Sequence, residues 1–532
     1  MVNPKSLKNK IEMDITNFKI SVFLVGLITL TCCSCADQST QLIDKEYDIH
    51  ILPKPKSIEI TRDAIKLSPQ SKSYTQDKEI GPLLNLLSKE IKSTTGLTVD
   101  QTEKNNDFAD IIFTKDESLE SGEYEIVINK SILVSGGSYT ALANAKTTLL
   151  QLVIRDGEDL IFPRLTIRDH ADAEFRALMI DLARNWHDLA TVKKLIDLAA
   201  FYKINYVQLH FTDYQLYTLP SRHYPKLSTP NKHYSFTQLE ELEAYSQLRG
   251  VTIIPELEVP GHAGQFVKMH PEIFAIQDTA TNPWIINMGK EEVYQAIDLL
   301  VEELTQTFKA TPYIHMGGDE AIFKKVIDDP DVQAYITKHG LDNDVHELYR
   351  HFLVRMNTIV KKHGKQMCIW EGFGREGKVK IPKDILVFEF ETNRYLPNHL
   401  VEDGYTVVNT SWKPLYVVNQ KKWEPKTIYN WNLWRWENWW IKAPSFAPIQ
   451  LEETPLVIGA MMCSWEQPQE VEIPSLRKRL PAYAERVWNT KKNVPYEEMM
   501  NSMEVTDKIL SQLINDNRQD SLLVGYNFKG EE

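Results

Sequence analysis

Two adjacent carboxylates, Asp319 and Glu320, follow a glycine pair in the segment Ile314-His315-Met316-Gly317-Gly318-Asp319-Glu320. Neighbouring residues of a regular strand face opposite sides, so both acids reach one pocket only where the strand has ended and the chain turns. The glycines permit that bend and leave room for a ligand. Two close carboxylates repel, which raises one pKa, and a raised pKa keeps a Glu protonated for use as an acid near neutral pH. The pair alone is equally consistent with two solvated acids in a loop.

Other residues suited to proton transfer, charge stabilisation or stacking recur along the chain. They are Asp181 and Arg184; His210 and Asp213; Glu256, Glu258 and His262; Trp370 and Glu371; Glu389 and Glu391; Trp412 and Tyr416; Trp465 and Glu466. A ring of carboxylates with Trp and Tyr is what carbohydrate cleavage requires: acids to move protons and flat aromatic faces to carry sugar rings. Single members have plainer readings: Arg184 as an ion-pair partner, His210 as a packed core histidine, Glu256 as a brace. The acids show no ligand cluster with metal-like spacing, so neither metal nor cofactor is expected.

The elements that must position these residues are short apolar strands, each ending at one of the groups above. They are Arg176–Asp181, Asn205–Phe211, Val251–Glu258, Tyr313–His315, Met367–Trp370, Ile385–Phe390, Tyr405–Val408 and Leu456–Cys463. Helical periodicity fills the intervals: 192–202, 236–249, 290–308 and 344–363, with less regular helices later. Eight strand–helix units over 173–495 predict an α/β fold, a closed (β/α)8 TIM barrel whose site lies at the C-terminal strand ends. Residues 51–172 read as a small N-terminal α+β accessory domain, with strands at 124–128 and 131–135 and a helix from Tyr139 to Val153. Residues 496–532 read as a C-terminal helical extension, amphipathic over about 496–515.

The balance of 60 Lys and Arg against 73 Asp and Glu gives a net charge of −13. With no basic run past the N-terminus, this argues against nucleic acid as a partner. Lys5, Lys8, Lys10 and Lys19 precede an apolar run from Ile20 to Leu30, too short to span a bilayer but suited to a signal-peptide core. Thr31-Cys32-Cys33-Ser34-Cys35 follows and resembles a bacterial lipoprotein cleavage site. Residues 1–35 are therefore expected to be a lipoprotein-type signal peptide, with Cys35 preferred over Cys33 for lipid attachment and 36–50 as a tether. The expected location is an exported lipoprotein in the periplasm or at the cell surface, membrane-bound through that anchor only. Only Cys368 and Cys463 lie in the body, so no disulfide framework is implied.

His-x-Gly-Gly-Asp-Glu resembles the signature of family 20 glycoside hydrolases, the β-N-acetylhexosaminidases. Leu52-Pro53-Lys54-Pro55 and Gly122-Glu123-Tyr124 look like that family's accessory domain. Asp181-Leu182-Ala183-Arg184, Leu209-His210-Phe211-Thr212-Asp213 and Ile254-Pro255-Glu256-Leu257-Glu258-Val259-Pro260-Gly261-His262 look like its first three strand ends, in order. The resemblance implies release of terminal β-linked N-acetylhexosamine from glycans and glycoconjugates, with the sugar's own acetamido oxygen as nucleophile. It implies that Glu320 protonates the leaving oxygen and then activates water. Asp319 would orient the acetamido N–H and stabilise an oxazolinium-like intermediate. Tyr416 would donate to the acetamido oxygen, Trp370 and Trp465 would wall its pocket, Arg184 would hold hydroxyls, and Asp213 and His262 would tune Glu320.

The chain departs from the family pattern in four places. Asp213-Tyr214-Gln215-Leu216-Tyr217 replaces Asp-Asp-Gln-Gly-Trp, and Val418 stands where the family has Asp. Trp465-Glu466-Gln467 replaces Trp-x-Glu, and Phe390 replaces a common Trp. The acetamido machinery reads as intact and recognition of the outer hydroxyls as altered, which implies a different epimer, a substituted sugar or a disaccharide unit. Whether Glu466, one position early, contacts substrate is open. Six tryptophans between Trp423 and Trp440 fit either a local core stapling a long loop or a wall over the site. The competing readings are a surface glycan-binding lipoprotein without catalysis and a different barrel glycosidase using two protein carboxylates, with Glu258 or Glu389 as the distant one.

Overall fold

The computed structural model describes residues 43–44, 47–104, 109–418, 421–491 and 494–520. The expected signal peptide, Cys35 and most of the expected tether lie outside the described residues. Eight parallel strands form the barrel: β1 (Phe175–Asp181), β2 (Tyr206–His210), β3 (Thr252–Glu256), β4 (Tyr313–His315), β5 (Gln366–Trp370), β6 (Leu386–Glu389), β7 (Thr406–Asn409) and β8 (Val457–Trp465). Each pairs with the next in sequence order, and β8 returns to β1 with Phe175 opposite Gly459 and Ile180 opposite Ser464, closing the cylinder.

Strand alternation sorts the side chains. Phe175, Ala177, Met179, Ile254, Cys368, Trp370, Phe388 and Cys463 pack together in one buried cluster, the barrel interior. Their alternates Leu178, Ile180, Val207, Leu209, Ile253 and Ile369 belong to the cluster shared with the helices. The floor of the interior is aromatic, with Phe175 stacked on Tyr206 at 4.6 Å and Tyr313 and Phe388 edge-on to Phe175. Polar side chains replace apolar ones only in the upper layers, as expected for a site at the C-terminal strand ends.

Helices α1 (Leu189–Phe201), α2 (Phe236–Gln247), α3 (Glu291–Thr307) and α4 (Val345–Lys362) follow β1 to β4. Three of the four starts are capped by side chains: Asp188 accepts from Thr191 N, Ser235 with Gln238 forms a capping box, and Asp344 accepts from His346 N. The alternation is incomplete later. The 371–385 connection has no helix, and that after β6 only the short helix Pro397–Glu402. A two-helix return, Gln469–Leu476 and α5 (Arg479–Trp488), follows β8.

The accessory domain is a nine-stranded mixed sheet. Tyr124–Ile128 runs antiparallel to Ile132–Gly136, and helices Gly81–Thr95 and Tyr139–Leu152 pack on the sheet and on each other. Its last strand ends at Asp169, and β1 begins at Phe175. A buried polar node ties the two domains together. Asp169 accepts from Trp488 Nε1 (2.9 Å), from the Tyr124 hydroxyl and from Lys203 Nζ (3.1 Å). The final helix α6 (Tyr496–Leu513) does not cap the barrel. It packs beside it, against both α1 and the accessory helix Gly81–Thr95. Among the described residues no helix is long and apolar enough to cross a membrane.

Candidate active site

β4 ends at His315, and the chain then turns sharply, with Gly317 at φ 64°, Gly318 at φ 103° and Glu320 at φ 45°. A side chain on Gly317 has no room, because a Cβ there would stand 1.9 Å from the Glu258 carboxyl group. Gly318 N donates to Glu258 Oε1 at 2.8 Å, so the turn is pinned on a buried carboxyl from the loop after β3. His262 (φ 52°) and Glu466 (φ 57°) share the left-handed conformation with Glu320. Three non-glycine residues so constrained around one mouth are a concentration of backbone strain typical of a working site.

The turn presents the two acids differently. Asp319 is buried, and its Oδ1 has no hydrogen-bond partner. The Glu320 side chain is half exposed and lies 3.4 Å from His262 Nε2. His262 Nδ1 lies 3.3 Å from Asp213, which also meets His210 Nε2 at 3.1 Å and Arg184 Nη2 at 3.0 Å. Beneath them Glu256 accepts from Trp370 Nε1 (2.6 Å) and Gln208 Nε2 (2.9 Å) and lies 2.9 Å from His210 Nδ1 and 3.2 Å from His315 Nδ1. Glu256 therefore braces the barrel and also orients a pocket tryptophan and a relay histidine. His210 is a buried histidine held between two carboxylates.

These contacts set the charges. Burial opposes protonation of His262, but Asp213 and Glu320 outweigh it and push its pKa up to about 11. Burial is likewise overcome for His210 by Glu256 and Asp213, giving about 10. Asp213 is held far below the carboxylate range, its burial outweighed by the two histidines and Arg184. The expectation that carboxylate repulsion raises the acid's own pKa is corrected here. Burial, with the Glu320 charge adding to it and His262 opposing, raises Asp319; the hydrogen bond from His262 lowers Glu320 against partial burial. The buried member takes the upward shift because it has the least solvent.

Two groups of metal-ligating types converge, His210–Glu256–Glu258 and His262–Asp319–Glu320, each within 4.8 Å. Sequence spacing hid both, since each draws on different strand ends. The carboxylates around His210 and His262 favour the protonated imidazoles, which donate rather than accept in these two groups.

Opposite Glu320 the mouth is aromatic. Trp370 and Trp465 have ring centroids 5.8 Å apart, and Tyr416 lies 6.2 Å from Trp465. Phe390 and Trp412 sandwich Tyr416 at 6.2 and 4.8 Å, both stacked. The Arg184 guanidinium lies over Trp465 at 4.8 Å. Burial, then Cys463 and Asp319, raise the Tyr416 pKa well above its ordinary value, so its hydroxyl keeps its proton. Tyr416 is not on the seventh barrel strand. It opens the short strand Tyr416–Val418, which pairs parallel with the upper end of β8, Tyr416 opposite Cys463.

Some predicted members stand elsewhere. Glu371 Oε1 accepts from the backbone of Arg394 (2.7 Å) and Tyr395 (2.6 Å), so it braces the loop after β6. Glu389 has the parity of Val387, whose side chain packs with the helices, and is fully buried. Half-buried Glu391 faces the charges of Glu320 and Arg394, the latter a rim residue that the sequence did not single out. Glu466 is exposed at the rim, with Oε1 3.8 Å from Arg184 Nε and its own N–H on Asp181. Gln467 is turned inward: its amide donates to Val417 O and Trp465 O and accepts from Ser475 Oγ. In the Trp-rich segment Trp436 and Trp431 are buried core, while Trp439 reaches Trp412 at 5.4 Å and backs the pocket. The segment is thus chiefly a local core, with Trp439 and Trp423, whose Nε1 donates to Trp412 O at 3.2 Å, meeting the wall behind Tyr416.

Barrel and mouth define a class: a (β/α)8 fold with paired carboxylates, a histidine relay and an aromatic pocket at the C-terminal strand ends. The family model for the glycosyl hydrolase family 20 catalytic domain matches residues 174–491, and that for domain 2 of the same family matches 48–170. The chain belongs to glycosyl hydrolase family 20. It is 28% identical over 330 residues to the beta-hexosaminidase of Vibrio furnissii, covering 56% of this chain and 53% of that one. It is 24% identical over 375 residues to the beta-hexosaminidase of Porphyromonas gingivalis, covering 65% and 48%. The matches thus span about half the length of these curated relatives. The fold is shared with the family 20 exo beta-N-acetylglucosaminidase from Vibrio harveyi in complex with N-acetylglucosamine. That likeness has a TM-score of 0.74 at 23% identity, over 90% of this chain and 80% of the other.

Proposed function

We propose that the protein is an exo-acting glycoside hydrolase that releases terminal β-linked N-acetylhexosamine, with the substrate's acetamido oxygen as nucleophile. The observation that carries this is the buried Asp319, with one unpartnered oxygen, beside an aromatic pocket that holds a protonated Tyr416 hydroxyl. An acetamido group is flat and partly apolar, with one N–H donor and one carbonyl acceptor. Such a pocket supplies an acceptor for the N–H, a donor for the carbonyl and aromatic walls for the methyl. Held there, the carbonyl oxygen attacks the anomeric carbon, and the Asp319 carboxylate offsets the charge of the cyclic oxazolinium. Glu320 gives its proton to the departing oxygen and then takes one from water, a retaining sequence in which the substrate replaces one of the two usual carboxylates.

The outer hydroxyls are met by Arg184 and the exposed Glu466, since Gln467 is tied to the backbone and Val418 is apolar. This supports a preference shifted toward another epimer, a substituted sugar or a disaccharide unit. The competing reading, glycan binding without catalysis, leaves the Glu320–His262 contact without a use. Aryl β-GlcNAc, β-GalNAc and β-glucoside substrates, offered to the chain from Asp37 onward, test the reading. Cleavage of either acetamido sugar with silence on the glucoside is expected; equal cleavage of the glucoside would overturn it, and silence on all three in a folded protein would leave a larger or decorated glycan as substrate, or the binding reading. We further propose export and lipid attachment at Cys35, supported by the sequence pattern there, for which detergent partitioning of the full chain is the check.

A further inference from the structure

We infer that Tyr214 and Trp284 form a stacking platform for a second sugar ring, on the leaving-group side of Glu320. The inference rests on the acid/base reading of Glu320. A general acid stands on the side from which the leaving group departs, so the aglycone meets the residues that follow the Glu320, His262 and Asp213 contacts in the chain. Tyr214 directly follows Asp213, and its ring lies on Gly264, where a Cβ would stand 2.1 Å from Tyr214 Cδ2. Gln265 Nε2 fastens this turn through Tyr214 O and Gln215 O at 3.0 and 2.7 Å. Trp284 O accepts from Ala263 N at 2.8 Å, one residue past His262. Its ring centroid lies 4.5 Å from that of Tyr214, inclined at 45°. Asn282 ties the same loop to Ile322 O and Lys324 O, just beyond Glu320.

The platform is built and yet uncovered. Tyr214 is 42% exposed, Trp284 39% and Ile322 51%, three of the few large apolar side chains of the described residues that remain open to solvent. An exposed apolar cluster held by part-buried hydrogen bonds beside a site marks a binding surface. Uncharged aromatic faces suit the C–H face of a pyranose, and a carbohydrate is the occupant that the neighbouring acid/base site brings to them. A groove lined by Tyr214, Gly264, Gln265, Lys268, Pro271 and Pro283 adjoins the ring pair at Tyr214 and offers room for a longer glycan. The Asp213-Tyr214 departure from the family pattern thus adds a ring where the family has a carboxylate.

Binding in a Glu320→Gln background separates this platform from the chemistry. Calorimetric titration with N,N′-diacetylchitobiose and with methyl β-N-acetylglucosaminide measures what the second ring adds. The disaccharide is expected to bind about 10-fold more tightly, and Trp284→Ala to bring the two affinities together. The methyl glycoside reports whether that variant still folds and binds the first sugar. No preference for the disaccharide, or a preference untouched by Trp284→Ala, overturns the inference. A Trp284-dependent preference in a chain that cleaves neither the aryl substrates nor the disaccharide would instead reject the enzymatic reading and leave the platform standing.

Discussion

Glu320→Gln lowers kcat/KM for a disaccharide substrate by about 10³- to 10⁴-fold, the upper range for loss of one positioned acid/base. The loss shrinks for aryl glycosides, whose leaving oxygen departs with little protonation, while the hydrolysis half-reaction, in which Glu320 activates water, stays impaired. Dependence on leaving-group pKa therefore distinguishes an acid from a residue that merely shapes the pocket. The electrostatics add a pH signature. In the free protein the His262 imidazolium stabilises the Glu320 carboxylate, against partial burial, and lowers its pKa. A bound sugar covers the exposed half of Glu320 and works the other way by desolvation. The basic limb of kcat/KM, which reports the free protein, is expected at lower pH than that of kcat, which reports the complex. Coincident limbs would show that the bound sugar does not desolvate Glu320.

Asp319→Asn removes about 10²- to 10³-fold from kcat/KM, carried mostly by kcat, because the lost charge acts on the intermediate more than on the bound sugar. The isosteric amide keeps the packing around Gly318 and the pocket walls, so a folding defect is not the source. The raised pKa of Asp319 fits this role. Burial opposes its charge in the empty site, and the positive ring formed beside it makes the carboxylate favourable when it is needed. A barrel glycosidase that used a protein carboxylate as nucleophile would place that group elsewhere, and Asp319→Asn would then cost little.

The barrel was legible because two patterns coincide in it. Apolar alternation marks each strand, and a polar or aromatic residue marks its end, so all eight strands appear where those signals meet. The helices after β5 and β6 were not legible as missing or short, since the loops there are polar and of ordinary length. Within the site, Asp319, Glu320, Asp213, His262, Arg184, Trp370, Tyr416 and Trp465 converge at one mouth, as Glu466 does at its rim. Glu371 and Glu389 do not, because side-chain direction past a strand end depends on turns that sequence parity does not carry. The inverted titration of the acid pair was also hidden. It depends on burial and on the His262 contact, both products of tertiary packing.

The central claim, that the substrate's acetamido group is the nucleophile, is tested most directly by kcat/KM for aryl glucosaminides carrying N-acetyl, N-fluoroacetyl, N-difluoroacetyl and N-trifluoroacetyl groups. Fluorine withdraws electron density from the carbonyl oxygen while barely changing its size. The account predicts a steep, progressive fall across the series, about 10³-fold or more in total, which corresponds to roughly 4 kcal/mol of barrel-bound nucleophilic assistance. A flat series would contradict it and place the nucleophile on the protein.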